Sequence, residues 1–449
     1  MPSLARRLAP WAMAALTSPR TRALRRALAR TTRRLRGRRR EVHYFHQVDD
    51  PYSALAAQRL RAFAERYDVT LVPHLVAPPS DAAAPERALL EAFARRDAAD
   101  VAPAHGLAFP ASADPPARAQ VARAQRVLCR ALHSPVFVDE AMRVSGALWS
   151  ADARELDSLA STLGEASERE AERELAAGSA LRERLGHYLG ATFHYEGEWY
   201  WGVDRLHHLE RRLREEGALK ERARDHALVA PRPIARATPP AAAPAAGARA
   251  PLVLEFFASL RSPYTYIVTE RVLALAKQTG AQLVLRPVLP MVMRGLPVPR
   301  AKQLYIALDT KREAEDAGVP FGRVCDPVGR PVERAFSLYP FARERGRAPE
   351  LLLEFMRASW AEGIDTGSDA GLRRVVERAG LSWNEAQQRV DRDESWRAEL
   401  EANRAELFAL GLWGVPSFRV RGGAAPDYAT WGQDRLWRVE EEIRARIAS

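Results

Sequence analysis

Cysteine is nearly absent from this chain. Its two copies, Cys129 and Cys325, lie far apart and outside any Cys-x-x-Cys spacing. That excludes a dithiol redox pair, a disulfide framework and a cysteine-based zinc cluster, and it makes a reducing, cytoplasmic setting the default expectation. No run of about 18 apolar residues occurs, so no integral membrane segment is expected. The ten histidines show no metal-ligand spacing, and no metal is expected. His207 and His208 are neighbours on an expected helix, where adjacent side chains should diverge. Lysine is confined to Lys220, Lys277, Lys302 and Lys311, whereas Ala and Arg abound.

Acidic residues are missing from residues 1–40, which hold 13 Arg. The net charge of +11 resides there, and the rest of the chain is slightly acidic. A basic body that tracks nucleic acid is therefore not expected. Three readings of this tail stay open: a solvated arm, a surface-binding amphipathic helix, or a targeting segment. The stretch Leu8–Leu16 is short and holds Pro10, which places a cleaved signal below the plain arm.

What is present is length and apolar content. The chain has 449 residues, 47% of them hydrophobic, enough for two or three domains. Residues 228–250 are dominated by Pro and Ala and read as a semi-extended linker. On either side the sequence repeats. At an offset of 212, Tyr44-Phe45 falls on Phe256-Phe257, Asp50-Pro51-Tyr52-Ser53 on Ser262-Pro263-Tyr264-Thr265, Asp97 on Asp309, and Asp114-Pro115 on Asp326-Pro327. Trp201-Gly202-Val203-Asp204-Arg205-Leu206 matches Trp431-Gly432-Gln433-Asp434-Arg435-Leu436, with 18 further residues in the second part. The pattern predicts a duplication. The expected organisation is an Arg-rich tail (1–40), a degenerate domain (41–227), the linker, and a second domain (251–449).

Hydrophobic patterning predicts strands at 252–257, 283–288 and 416–420, a helix opened by Ser262-Pro263, helices over 300–317 and 332–412, and a last helix over 434–447. The first part repeats this, with strands at 42–45, 69–75 and 192–195. Lys302, Tyr305, Asp309 and Arg312 recur at spacings of three and four and should share a helix face.

The turn Glu255-Phe-Phe-Ala-Ser-Leu-Arg-Ser262-Pro263-Tyr264-Thr-Tyr266, the loop Gly414-Val415-Pro416-Ser417-Phe418 and the Gly432-Gln-Asp434-Arg435 segment occur in one order. Together they resemble the DsbA-like thioredoxin superfamily, in the branch of 2-hydroxychromene-2-carboxylate isomerases and kappa-class glutathione transferases. The resemblance implies an α/β fold: two tandem thioredoxin-like domains, each a small mixed sheet with a DsbA-type helical insertion. It implies Ser262 as the catalytic residue that stabilises a glutathione thiolate. It implies a cis Pro416 that leaves Val415 to pair with glutathione, and Asp434 and Arg435 for its γ-glutamyl end, with Lys302 and Tyr264 also in the groove. The substrate implied is a small electrophilic or aromatic molecule, and the two domains are expected to pack as a pseudo-dimer.

The residues also support plainer accounts. Ser262-Pro263 is an ordinary helix start, Pro416 an ordinary strand entry and Asp434 an ordinary cap. The loop Met291–Pro297 lacks the Asn that the isomerases place before the next helix. The first part has Asp50 in place of Ser262 and Ala191 in place of Pro416. The alternative is thus a non-catalytic thioredoxin-fold binding protein. A disulfide oxidoreductase is disfavoured by the missing cysteines, and Cys325, whose counterpart is Ala113, reads as a small packed residue.

Overall fold

A computed structural model describes residues 4–111, 114–221, 227–230 and 251–448. Most of the expected linker and Ala113 fall outside these. The chain divides into two compact units. One gathers Leu24–Pro231 with Pro299–Tyr305, and the other Met1–Ala23, Arg232–Val298 and Ile306–Ser449.

The first unit holds a four-stranded sheet of β1 (Glu41–His46), β2 (Thr70–Leu75), β3 (Thr192–Tyr195) and β4 (Glu198–Trp201), in the order β2-β1-β3-β4. β1 pairs parallel with β2 and antiparallel with β3. Among the described residues, five α-helices and a 3-10 turn between Arg87 and Leu185 separate β2 from β3. The second unit holds β5 (Val253–Ala258), β6 (Gln282–Pro287), β7 (Ser417–Arg421) and β8 (Tyr428–Trp431), in the matching order β6-β5-β7-β8. The register matches as well. Phe45 lies opposite Thr192, and Phe257 opposite Ser417. Two mixed sheets with helical insertions are what the α/β reading predicts.

β5 is the central strand and is buried along almost its whole length, so it reads as a continuous apolar run. Phe256 stacks on its cross-strand partner Phe418 at 5.5 Å. Ile267 and Val272 from the following helix, and Val439 and Ile443 from the last, close on the same core. The exception on β5 is Glu255, fully buried and held by Arg286 at 2.7 Å, Arg421 at 3.2 Å and Arg419. The first unit also buries an ion cluster. Arg212 is 1% exposed and meets Glu216 at 3.0 Å and Glu196 at 3.1 Å.

Two strands escaped the sequence reading. β4 lies inside an aromatic stretch, Phe193–Trp201, and pairs with β3 as a hairpin, with Phe193 opposite Tyr200. Its two-residue turn puts both Glu196 and Gly197 at positive φ, 43° and 84°. Glu is an unusual residue for the first of these positions, so the turn carried no signal.

The plain solvated arm is corrected too. Residues 4–35 form two helices, Leu4–Thr17 and Pro19–Leu35. Ser18 accepts from Thr21 N at 3.0 Å and Pro19 follows it, so the second helix starts by the same chemistry as Ser262-Pro263. Met13 packs on the core of the second unit. Arg26 meets Glu198 at 2.6 Å, and Arg33 meets Glu196 at 2.7 Å. His207 and His208 are corrected as well: their rings lie 4.0 Å apart at 35°, close rather than divergent. They sit in the first turn after a 3-10 segment, Val203–Arg205, where regular helical spacing has only begun.

Candidate functional site

The helix Pro263–Thr279 leaves the end of β5 through the turn Ser259–Ser262. Ser262 is its N-cap: extended backbone (φ −96°, ψ 113°), with Oγ accepting from Thr265 N at 3.1 Å. The same hydroxyl donates to Val415 O at 3.4 Å. The Val415–Pro416 bond is cis, and Pro416 O accepts from Gly432 N at 2.9 Å. Val415 N makes no backbone hydrogen bond among the described residues. Ser262, Val415 and Pro416, expected together, are therefore together.

The loop that presents Val415 is held from behind. A Cβ on Gly414 would lie 2.2 Å from the indole of Trp431, so only Gly permits the approach. Trp413 sits 5.4 Å from Trp431 at 58°.

Tyr264, in the first turn of the helix, donates its hydroxyl to Asp309 at 2.7 Å. Asp309 in turn pairs with Arg312 at 2.9 Å, and both are buried. The spacing of three brings the two together, and the pair lies inside the protein. The first unit repeats the first bond, Tyr52 to Asp97 at 2.8 Å.

Lys302 is corrected. It lies in the other unit, where its ammonium donates to Ala83 O at 2.8 Å and sits 5.7 Å over the Tyr188 ring. Burial lowers its pKa to about 8. Tyr305 belongs to the same unit, packed with Phe45, Val76 and Trp199. The helical spacing was read correctly, but the first turn of Arg300–Ala317 is claimed by this aromatic cluster, so the face is shared between two surroundings.

Asp434 and Arg435 form part of a 3-10 turn before the last helix, so Asp434 is not the helix cap. Arg435 is 4% exposed. Gln433, a residue the sequence reading passed over, connects the neighbourhood. It accepts from Arg271 at 2.8 Å and donates to Glu313 at 2.9 Å and to Asp434. Burial lowers the pKa of Arg271. A second missed residue is Arg261, directly before Ser262. Its Nε and Nη2 donate to the two carboxylate oxygens of Asp326, at 2.8 and 2.7 Å. The signal was present, since Asp326-Pro327 is one of the repeated pairs. Cys325 is buried and donates its backbone N–H to Ser359 O, as expected of a packed residue.

In the first unit the matching positions hold Asp50 and Ala191 instead of a Ser and a Pro. Asp50 caps its helix, accepting from Ser53 N at 3.0 Å and Tyr52 N at 3.3 Å. Ala191 stands where Pro416 does, at φ 53°, and accepts from Gly202 N at 2.7 Å. Burial raises the Asp50 pKa to about 6, against the lowering effect of its bonds from Ser53 and Tyr52. A carboxyl raised in the folded state stabilises it fully below the unfolded value, and that stability is lost as pH rises through about 6. Asp50→Asn keeps the cap without the charge. It is expected to stabilise this unit by about 1–2 kcal/mol at neutral pH and to change little in acid. Urea unfolding of both proteins on either side of that window checks this.

The chain resembles solved structures of low identity. A 2-hydroxychromene-2-carboxylate isomerase is 20% identical, with 43% of this chain and 95% of that one covered and a TM-score of 0.35. The cytosolic disulfide reductase DsbM from Pseudomonas aeruginosa is 22% identical, with 43% and 99% covered and a TM-score of 0.35. A structure of DsbM with GSH is 20% identical over the same shares, with a TM-score of 0.32. No curated protein matches the sequence. Residues 253–444, which carry the whole of this site, match the family model of the DSBA-like thioredoxin domain.

Proposed function

We propose that the second unit is a glutathione-dependent isomerase or transferase of the 2-hydroxychromene-2-carboxylate isomerase and kappa type, in which Ser262 stabilises the glutathione thiolate. The observation that carries this reading is the placement of the Ser262 hydroxyl at a helix N-terminus beside Val415. The residues fit the cysteinyl part of glutathione. The Ser262 bond to Val415 O is long, so the hydroxyl can be redirected to a sulfur with little loss. Val415 N is available to an extended backbone. When bound, glutathione supplies the nucleophilic sulfur. Ser262 supplies a donor to it, and the helix N-terminus supplies partial positive charge. Tyr264, tied to Asp309, acts as a wall beside this position. In the same reading the first part is a duplicated copy without chemistry, and the protein works in the cytoplasm.

One set of observations favours a second reading, a binding protein for an extended peptide beside Pro416. Lys302 lies in the other unit, Arg435 is buried, and the loop Met291–Pro297 has no Asn. Titration calorimetry separates the two. Saturable heat with glutathione, together with turnover of a chromene acid or an electrophilic aromatic, supports the first reading. No glutathione heat overturns it.

A further inference from the structure

The helix Pro19–Leu35 is docked with its polar side inward. Arg26 and Arg33 turn to the first unit and pair with Glu198 and Glu196. Leu24, Leu28 and Leu35 are separated by four and seven residues, which brings them onto one face. That face points to water. The three are the most exposed large apolar side chains among the described residues, at 70%, 67% and 83%. Arg25, Arg34 and Arg36 flank them, with Arg38 and Arg39 just beyond the helix end, all exposed. Beside the helix lies a recess of about 480 Å³ in which five arginines (Arg25, Arg33, Arg36, Arg38 and Arg39) outnumber two carboxylates, Glu41 and Glu196, with His194 also on its wall. Among these, His194 is 8% exposed and its Nδ1 has no hydrogen-bond partner.

We infer that this face is a docking surface for an anionic phospholipid membrane, with lipid phosphates seated in the recess and the leucines in the acyl boundary. An apolar ridge rimmed by cations, on a helix with no acidic residue, is the pattern of an interfacial helix. A second copy of the chain is a poorer occupant. Pairing two such faces would bring arginines against arginines with no carboxylate on either helix. Nucleic acid would use the arginines but leave the leucines in water.

The experiment is flotation of the full chain with vesicles of equimolar phosphatidylglycerol and phosphatidylcholine, and with phosphatidylcholine alone. The expected result is binding to the first only, weakened by salt. L24A/L28A/L35A should bind about tenfold more weakly. R25Q/R36Q/R38Q/R39Q should lose the preference for anionic vesicles. All these side chains are exposed, and an unchanged circular dichroism melt would show that both variants fold. Equal flotation with both vesicle types overturns the inference, as does full binding by the leucine variant. A wild-type dimer in sedimentation that the leucine variant dissolves assigns the face to a second copy instead. Displacement by inorganic phosphate or retention on a DNA duplex, without flotation, also overturns it.

Discussion

Ser262→Ala is expected to lower kcat/KM for glutathione-dependent turnover about 100-fold. The loss has two sources. In the proposed reading the hydroxyl donates to the sulfur, and a bond from it to an anion is worth about 1.5–3 kcal/mol. It is also the helix cap, worth about 1 kcal/mol of stability. Ser262→Asp separates them. It reproduces the arrangement of Asp50, which caps its helix through two backbone amides. The Asp variant should melt close to the wild type yet be as inactive as the Ala variant, because a carboxylate repels a thiolate. Stopped-flow absorbance of the bound thiolate and a thermal melt together check both parts. Full activity in the Asp variant would remove Ser262 from the chemistry.

Glu255→Ala is expected to destabilise the second unit by about 3 kcal/mol, the order found when one partner of a buried ion pair is removed. Glu255 is fully buried on the central strand, and Arg419, 9% exposed in its side chain, depends on it. Arg419 also meets Glu406 at 2.6 Å, which keeps the cost from the top of the range. Burial alone would raise the Glu255 pKa, but bonds from Arg419 and Arg286 outweigh it and hold it below the ordinary carboxylate range. A lowered carboxyl pKa stabilises the fold at pH values above the unfolded value. That contribution is lost as pH falls through the folded pKa. Wild-type and variant melting curves should therefore lie far apart at neutral pH and converge in acid. A gap that is independent of pH would assign the loss to packing alone.

Much of this was legible in the residues. The offset of 212 placed Tyr52 on Tyr264 and Asp97 on Asp309, and both tyrosines bond their aspartates. Ala191 falls on Pro416 at a larger offset, through a strand register that sequence could only suggest. Strands buried on both faces announced themselves as apolar runs. The outer strands β4 and β8 did not: both hold only four residues, and β4 also hides among aromatics. At the site, residues next to each other in sequence were read well. Lys302 was misplaced because spacing defines a helix face but not which neighbour covers it. Gln433 was missed because a lone Gln between two charged-motif positions has no periodicity to betray it.

The contact between Gly414 and Trp431 gives the loop before Pro416 an optical handle. The indole that forbids a side chain at Gly414 is also the aromatic body nearest that backbone, and Trp413 stands 5.4 Å away. A shift of Val415 relative to Ser262 must therefore change the surroundings of a chromophore. The chain has ten tryptophans, so the difference in emission between the wild type and Trp431→Phe reports on the height of the loop without any label.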